Sequence, residues 1–166
     1  MKINRIWAMP NSLTFTIKPI KDLINNYKIG FIIDPFAKDC KIADVTNDID
    51  PNTSADNHLD YLEFLKRFDN ESVDCVLFDP PYSLRQLSEV YRKVRGSCTT
   101  QDTQSNPMTK SRPELQRIVK TGGYVISFGW SSGGVGNKYG FEIVEVLLVP
   151  HGGAHNDTIC VVERKK

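Results

Sequence analysis

The sequence of 166 residues lacks any long apolar stretch. Its longest hydrophobic segments, Ile143–Pro150 and Thr158–Val162, are far shorter than the roughly 20 residues that a membrane-spanning helix requires. The N-terminal segment, Met1–Pro10, also lacks the continuous apolar core of a secretory signal peptide. We therefore expect a cytoplasmic protein that does not associate with a membrane.

Paired cysteines are absent as well: the chain has four cysteines, and no two of them form a Cys-x-x-Cys pair. Cys75 and Cys160 lie within apolar segments, which indicates buried thiols rather than metal ligands. His151 and His155 have the spacing of a helical zinc site, but the two glycines between them disfavour a helix. The sequence therefore predicts no metal site.

The chain has a net charge of only +1, but its charges are unevenly distributed. Residues 34–79 contain twelve acidic and four basic residues, whereas residues 84–120 contain three acidic and eight basic residues. An acidic region favours a cationic or hydroxyl-rich small molecule, and a basic region attracts the phosphates of a nucleic acid. The alternative interpretation is a solvated surface that carries charges of both signs.

The length and ordinary composition predict a single domain that comprises residues 1–166. Apolar periodicity and turn residues predict helices over residues 19–27, 59–68, 84–95 and 111–119, and strands over residues 31–33, 41–45, 73–78, 124–128, 141–149 and 158–163. Capping-box patterns at Asp60 and Ser83 support the starts of two helices, and the glycine pair at 122–123 is expected to end the fourth. The polar segment 97–106 is predicted to be a mobile loop.

Strands and helices alternate along the chain, and its last strands follow one another directly. This order predicts an α/β fold with a doubly wound, mainly parallel sheet, to which the final hairpin adds an antiparallel edge strand. In such sheets, ligands bind beyond the carboxyl ends of the strands. Asp34, Asp48 and Asp79 are all predicted at those ends.

The most informative motif is Asp79-Pro80-Pro81-Tyr82, which directly follows the apolar residues 73–78. The first proline fixes its own φ, the second biases its predecessor to an extended conformation, and neither offers an N–H group. The corner therefore presents a carboxylate, outward-facing carbonyl groups and an aromatic ring, a combination that suits binding of an amino group. The alternative interpretation is a strand that ends in a simple proline turn.

This motif and its surroundings resemble the amino-directed, adenine-specific DNA methyltransferases, in particular the small adenine methylases of phages and prophages. The resemblance implies a Rossmann-like, class I methyltransferase fold and S-adenosylmethionine as the cofactor. It also implies that Asp79-Pro80-Pro81-Tyr82 is the catalytic motif. In this role the Asp79 carboxylate and the Pro80 carbonyl accept hydrogen bonds from the target amine.

The resemblance further implies a pocket for a base that has been extruded from the duplex. Tyr82 is expected to stack on that base, and Phe128 and Trp130 are expected to back the pocket. The alternatives are a core tyrosine at position 82 and an exposed aromatic residue in a glycine-rich loop at position 130.

For the cofactor, the resemblance points to three acidic segments. Asp34-Pro35-Phe36 is similar to the first cofactor motif and is expected at the methionine end. Asp48 is expected to bind the ribose hydroxyls, with Asp50 as a competitor for that role. Asp60 is expected to bind the adenine amine of the cofactor, although it could simply cap its helix.

One departure from the family pattern concerns the loop after the first cofactor motif. The chain has Lys38, Asp39 and Cys40 where the family has glycines that let the backbone approach the methionine part. The short link to the next strand also leaves no room for the usual helix. Residues 11–19 are expected to compensate by folding over the pocket.

The basic region 84–120 is the part of the chain left to contact DNA. The candidate DNA-binding residues are Arg85, Arg92, Lys93, Arg95, Lys110 and Arg112. Phosphate contacts of this kind give affinity but little sequence information. We expect the polar segment 97–110 to become ordered on DNA, and a homodimer is one way for so small a protein to hold a duplex.

These features predict an enzyme that transfers a methyl group from S-adenosylmethionine to the exocyclic amine of adenine in DNA. The same chemistry would serve a cytosine amine or an RNA acceptor, and both stay open as alternatives. A third alternative, motivated by the missing glycines, is a catalytically silent nucleic-acid-binding subunit with the same fold.

Overall fold

A computed structural model of the chain describes residues 1–103, 106–153 and 155–166, with only the backbone described at Gln101. Within these ranges the strands are β1 (Lys2–Arg5), β2 (Ile32–Asp34), β3 (Val45–Thr46), β4 (Val73–Phe78), β5 (Val119–Gly129), β6 (Phe141–Val149) and β7 (Thr158–Lys165). The helices are α1 (Lys18–Tyr27), α2 (Tyr61–Leu65), α3 (Leu84–Arg95), α4 (Thr100–Thr103) and α5 (Pro107–Ile118). Short 3₁₀ turns occupy Thr14–Thr16 and Asn137–Tyr139. None of the helices in the described ranges combines the length and the apolar character needed to span a bilayer.

The strands form one sheet in the order β1-β6-β7-β5-β4-β2-β3. Every neighbouring pair is parallel except those of β7, which is antiparallel to both β5 and β6. This arrangement confirms the predicted α/β fold with a doubly wound, mainly parallel sheet. The antiparallel strand nevertheless lies inside the sheet rather than at its edge, because β7 fills the gap between β5 and β6.

The edge beside β6 is formed by β1, a strand that the sequence pattern did not predict. All four of its residues are exposed, so it has no buried face to impose an apolar periodicity on the sequence. Its direction is parallel to β6, and the chain therefore leaves β1 at the end of the sheet where β2, β4 and β5 also end.

Two hydrophobic clusters cover the two faces of the sheet. On one face Ile24 of α1 packs in the same cluster as Leu77 of β4. On the other face Phe64 of α2 and Leu115 of α5 cluster with Val76, the neighbour of Leu77. Because successive side chains of a strand point to opposite faces, β4 is buried from both sides and fixes the centre of the sheet.

The region between α4 and β5 differs most from the sequence prediction. Helix α5 begins at Pro107 rather than at Ser111, because the side chain of Asn106 accepts a hydrogen bond from Thr109 N (2.8 Å) and caps the helix earlier. Strand β5 follows α5 directly and runs through the glycine pair at 122–123, which was predicted to be a helix end. Of the predicted loop 97–106, Gln104 and Ser105 lie outside the described residues, and α4 occupies part of the rest.

The predicted caps are confirmed in part. Ser83 and Gln86 form a reciprocal capping box at the start of α3, and Gly96 ends that helix in the left-handed conformation. Asp60 caps α2 by accepting a hydrogen bond from Leu62 N (3.0 Å), whereas Glu63 pairs with a lysine instead of returning to the cap.

The cysteines and histidines of the sequence analysis lie in structural positions. Cys75 and Cys160 are buried free thiols, as predicted. His151 is also buried, with Nδ1 2.8 Å from the Ala8 carbonyl oxygen and Nε2 2.9 Å from Thr158 Oγ1. Among the described residues, no three histidine, cysteine, aspartate or glutamate side chains lie together as a metal site.

A buried carboxylate holds the glycine-rich loop that follows β5. Glu163 accepts hydrogen bonds from Val135 N (2.6 Å) and Gly136 N (2.9 Å), and its side chain lies against Gly134. The Gly134 carbonyl in turn accepts two hydrogen bonds from the Arg112 guanidinium (2.9 and 3.2 Å). The loop therefore has a fixed path, and a Cβ atom at position 134 would overlap the Glu163 carboxylate.

We predict that Gly134→Ala lowers the free energy of unfolding by about 1–3 kcal/mol, because the added methyl group must displace a buried carboxylate that satisfies two N–H groups. Gly133→Ala is the matched control, since its Cβ would lie 3.4 Å from Ser131 Oγ and displace nothing. Urea denaturation of both variants measures the difference. Equal stability of the two variants would contradict this description of the loop.

Candidate active site

A cleft of about 670 Å³ lies beyond the carboxyl ends of β2, β3 and β4. Residues from all three of these strand ends line it: Pro35 and Phe36 follow β2, Asp48 follows β3, and Asp79 follows β4. Helix α3 also contributes to the lining, through residues between Gln86 and Val94. The structure therefore places the expected cofactor motif and the Asp79 corner in one cleft.

The Asp79-Pro80-Pro81-Tyr82 motif turns away from the sheet directly after β4, and all four residues line the cleft. Tyr82 folds back over Asp79, and its hydroxyl donates a hydrogen bond of 2.7 Å to Asp79 Oδ1. Burial raises the pKa of the Asp79 carboxyl above its usual value, while the hydrogen bonds from Tyr82 and Thr14 act in the opposite direction.

Thr14 is a site residue that the sequence analysis did not single out. Its hydroxyl lies beside the Asp79 carboxylate and the Tyr82 hydroxyl, within reach of a hydrogen bond to either one, and it lines the cleft. Thr14 is held there because the next residue, Phe15, is buried against Phe128 with ring centroids 4.8 Å apart. The sequence analysis predicted that residues 11–19 fold over the pocket, but it did not distinguish Thr14 from its neighbours.

Phe128 and Trp130 occupy different surroundings, although both were predicted at the target-base pocket. Phe128 is buried in the core beneath Phe15 and is not among the residues that line the cleft. Trp130 does not line the cleft either, but it is 44% exposed, and its ring meets the ring of the lining residue Tyr82 edge to face with centroids 5.6 Å apart. Trp130 and Tyr82 thus form an aromatic pair beside Asp79.

Asp34 lies behind the cleft rather than in its lining. Its side chain is fully buried, Oδ1 accepts a hydrogen bond from Phe36 N (3.0 Å), and Oδ2 has no partner within the described residues. Burial raises the pKa of Asp34 well above its usual value, and the nearby carboxylates of Asp79 and Asp48 act in the same direction. The neighbouring ring of Phe36 packs edge to face on Phe78 and reaches the cleft.

Asp48 and Asp50, the two candidates for the ribose, both line the cleft. Asp48 accepts hydrogen bonds from Lys38 N (3.0 Å) and Asp50 N (2.9 Å), so it shapes the two loops around it. Asp50 pairs with Lys93 Nζ at 2.7 Å, and this hydrogen bond is the largest cause that lowers the pKa of Asp50 to about 2. Both carboxylates therefore lie where a ribose could be bound, as the sequence analysis expected for either one.

Asp60 is not among the residues that line the cleft. In addition to capping α2, its Oδ2 accepts hydrogen bonds from the Tyr91 hydroxyl (2.7 Å) and from Arg95 (3.2 Å). Asp60 therefore links α2 to α3 and holds Tyr91, whose side chain does line the cleft. Asp60 was predicted to contact the cofactor, but the structure does not place it at the wall of the cleft.

The six basic residues predicted to contact DNA differ in how strongly the protein itself holds them. Arg92 is exposed and makes no side-chain hydrogen bond or ion pair within the described part of the chain, and Arg85 pairs only with Glu89 on the same helix. Lys93 and Arg95 are bound to acidic residues, and Arg112 holds the Gly134 carbonyl. Lys110 donates to the Asp102 carbonyl oxygen (3.2 Å). Of the six, Arg85 and Arg92 of α3 are therefore the least constrained by the rest of the protein.

No family model and no curated protein matches the sequence, but solved structures match the fold. A provisionally assigned methyltransferase from Escherichia coli, yhhF, superposes with a TM-score of 0.56 at 10% identity, covering 95% of this chain and 91% of that chain. A provisionally assigned methylase from Haemophilus influenzae gives 0.52 at 11% identity, covering 90% and 98%. A provisionally assigned SAM-dependent methyltransferase from Streptococcus mutans gives 0.50 at 12% identity, covering 90% and 49%. The chain therefore has the α/β fold of the class I methyltransferases.

We predict that Tyr82→Phe raises the pKa of Asp79 further, because the phenol hydroxyl donates to the ionised carboxylate and favours its charged form. The ring and its packing on Trp130 are kept in this variant. NMR titration of the labelled aspartate carboxyl carbons measures the shift. Tyr139→Phe is the control, since Tyr139 lies outside the cleft lining, and an unchanged Asp79 pKa in Tyr82→Phe would contradict the prediction.

Proposed function

We propose that this protein transfers a methyl group from S-adenosylmethionine to the exocyclic amine of adenine in DNA. The observation that carries the proposal is the shared cleft, in which the Asp79-Pro80-Pro81-Tyr82 corner lies with Pro35, Phe36 and Asp48. The fold supports it, because the solved neighbours described above are assigned as methyltransferases. The sequence motif, rather than the fold, supports an amino group as the target.

The cleft suits the cofactor in size and in chemistry. Its volume of about 670 Å³ lies within the usual range for small-molecule sites, roughly 300–1,000 Å³. The Asp48 and Asp50 carboxylates line the cleft and offer acceptors for ribose hydroxyls. When bound, S-adenosylmethionine supplies an electrophilic methyl group on a positively charged sulfur, which an acidic cleft favours.

The Asp79 corner suits activation of a planar amine. The lone pair of an adenine amine is delocalised into the ring, so the nitrogen becomes nucleophilic only when that pair is localised. The Asp79 carboxylate and the Pro80 carbonyl can accept the two amine hydrogens, which draws the nitrogen toward tetrahedral geometry. The raised pKa of Asp79 also suits a group that takes up the proton the nitrogen releases.

Tyr82 connects base binding to this corner. In the structure its hydroxyl occupies Asp79 Oδ1, so an incoming amine shares the carboxylate with Tyr82 or displaces it. The faces of Tyr82 and Trp130 offer stacking surfaces for a base that has left the duplex. We expect the exposed Arg85 and Arg92 of α3 to contact phosphates of the DNA that flanks this base.

We predict that the protein incorporates labelled methyl groups from S-adenosylmethionine into duplex DNA of mixed sequence, and that Asp79→Asn lowers the rate by about 100- to 1,000-fold or more. Asparagine keeps the shape of aspartate but cannot take up the proton and offers only one acceptor oxygen. Asp69→Asn is the matched control, because Asp69 is exposed and remote from the cleft lining.

Nucleoside analysis of the product separates the proposal from its alternatives. N6-methyladenine in DNA supports it, whereas N4-methylcytosine, or a base methylated on its exocyclic amine in RNA, would replace the acceptor while keeping the mechanism. Absence of transfer to any nucleic acid would favour a catalytically silent binding subunit. Full activity of Asp79→Asn would overturn the assignment of the corner.

A further inference from the structure

We propose that the ammonium group of Lys38 binds the α-carboxylate of the cofactor's methionine part, in place of the backbone contacts that a glycine-rich loop supplies. The inference rests on the proposed function, since it concerns the same cleft. It identifies a cofactor-binding residue at a position where the sequence departs from the family pattern.

The backbone of Lys38 has the conformation of a glycine. Its φ is +50°, in the left-handed region that side chains with a Cβ atom disfavour, and Glu71 is the only other non-glycine residue of the described chain with positive φ. The turn is closed by a hydrogen bond from Cys40 N to the Ala37 carbonyl (2.8 Å). A lysine in a conformation that suits glycine better is a local strain of the kind found at functional sites.

Most backbone N–H groups of this loop already donate hydrogen bonds within the protein. Phe36 N donates to Asp34 Oδ1, Ala37 N to the Asn47 carbonyl, and Lys38 N to Asp48 Oδ2, at distances between 2.8 and 3.0 Å. Cys40 N closes the turn described above. The N–H groups that a glycine-rich loop would turn toward an anion are therefore largely taken, and the Lys38 side chain is the alternative donor.

The charges of the cleft point to the same residue. Among the described residues, its lining carries the carboxylates of Asp39, Asp48, Asp50, Asp79 and Glu89, and two basic residues, Lys38 and Lys93. Lys93 is paired with Asp50 at 2.7 Å, whereas the Lys38 ammonium has no ion pair within the described residues. Lys38 and Asp79 both line the cleft, and the charge of Lys38 opposes the rise that burial causes in the pKa of Asp79.

The chemistry of the cofactor matches this distribution. S-adenosylmethionine carries a sulfonium and an α-ammonium, which an acidic cleft accommodates, and one α-carboxylate, which the same cleft would repel. A single uncommitted cation that lines the cleft resolves this conflict. Lys38 thus compensates for the missing glycines and counters the reading that their loss abolishes cofactor binding.

The test compares two ligands that differ at the amino-acid end, measured by calorimetry without any turnover. S-adenosylhomocysteine has the α-carboxylate, and 5′-methylthioadenosine lacks the whole amino-acid group. We expect Lys38→Met to weaken S-adenosylhomocysteine by about 10- to 100-fold, the usual effect of losing a charged hydrogen bond, and to change 5′-methylthioadenosine less than about twofold. Lys38→Arg should retain most of the affinity, and Lys138→Met, outside the cleft lining, should match the wild type.

Each other outcome overturns the inference in a distinguishable way. Equal loss of both ligands in Lys38→Met means that the residue only supports the turn. Unchanged binding of S-adenosylhomocysteine, with weaker binding of a labelled DNA duplex, assigns Lys38 to the nucleic acid instead. If the wild-type protein binds neither ligand, the proposed function itself fails.

Discussion

The direction of the chain at the end of β4 is the constraint on which the rest of the site depends. Two consecutive prolines fix the backbone as it leaves a strand buried on both faces, so Asp79 and Tyr82 are held beyond the end of this strand with few alternative conformations. The hydrogen bond between their side chains completes this corner. The segment after β2, which was predicted to bind the cofactor, and helix α3 lie around this corner and complete the cleft.

Long-range contacts hold the surrounding segments in place. Phe15, packed on Phe128, brings Thr14 to the corner from the N-terminal segment. Asp60 ties Tyr91 of α3 to the start of α2, and the pair between Asp50 and Lys93 ties the same helix to the loop after β3. The acidic excess of residues 34–79 is therefore divided between these structural contacts and the lining of the cleft.

The fold was predictable where burial leaves a periodic trace in the sequence. Strand β4 and helices α1 and α3 follow their apolar patterns, and the proline corner was predicted at a strand end. Strand β1 was not predictable, because it is an exposed edge that pairs with β6, about 140 residues further along the chain. The early start of α5 depends on the Asn106 cap, a local signal that the stronger pattern at Ser111 concealed.

The site residues were also predictable only in part. Asp79, Tyr82, Asp48 and Phe36 come together because parallel strand ends meet at one edge of a sheet, a rule that sequence order alone supplies. The separation of Phe128 from Trp130 depends on which side chains of the β5 end are covered by Phe15, and the role of Asp60 depends on Tyr91, 31 residues further on. Contacts between such distant segments produce no recognisable pattern in the sequence around either residue.

A crystal structure of the protein with sinefungin tests the central claim most directly, because this analogue carries an amino group in place of the transferable methyl. The account predicts the analogue in the cleft, with its ribose near Asp48 and Asp50 and that amino group facing the Asp79-Pro80 corner. A cleft without the analogue at saturating concentration, or an analogue bound elsewhere with Asp79 closed off from it, would contradict the account.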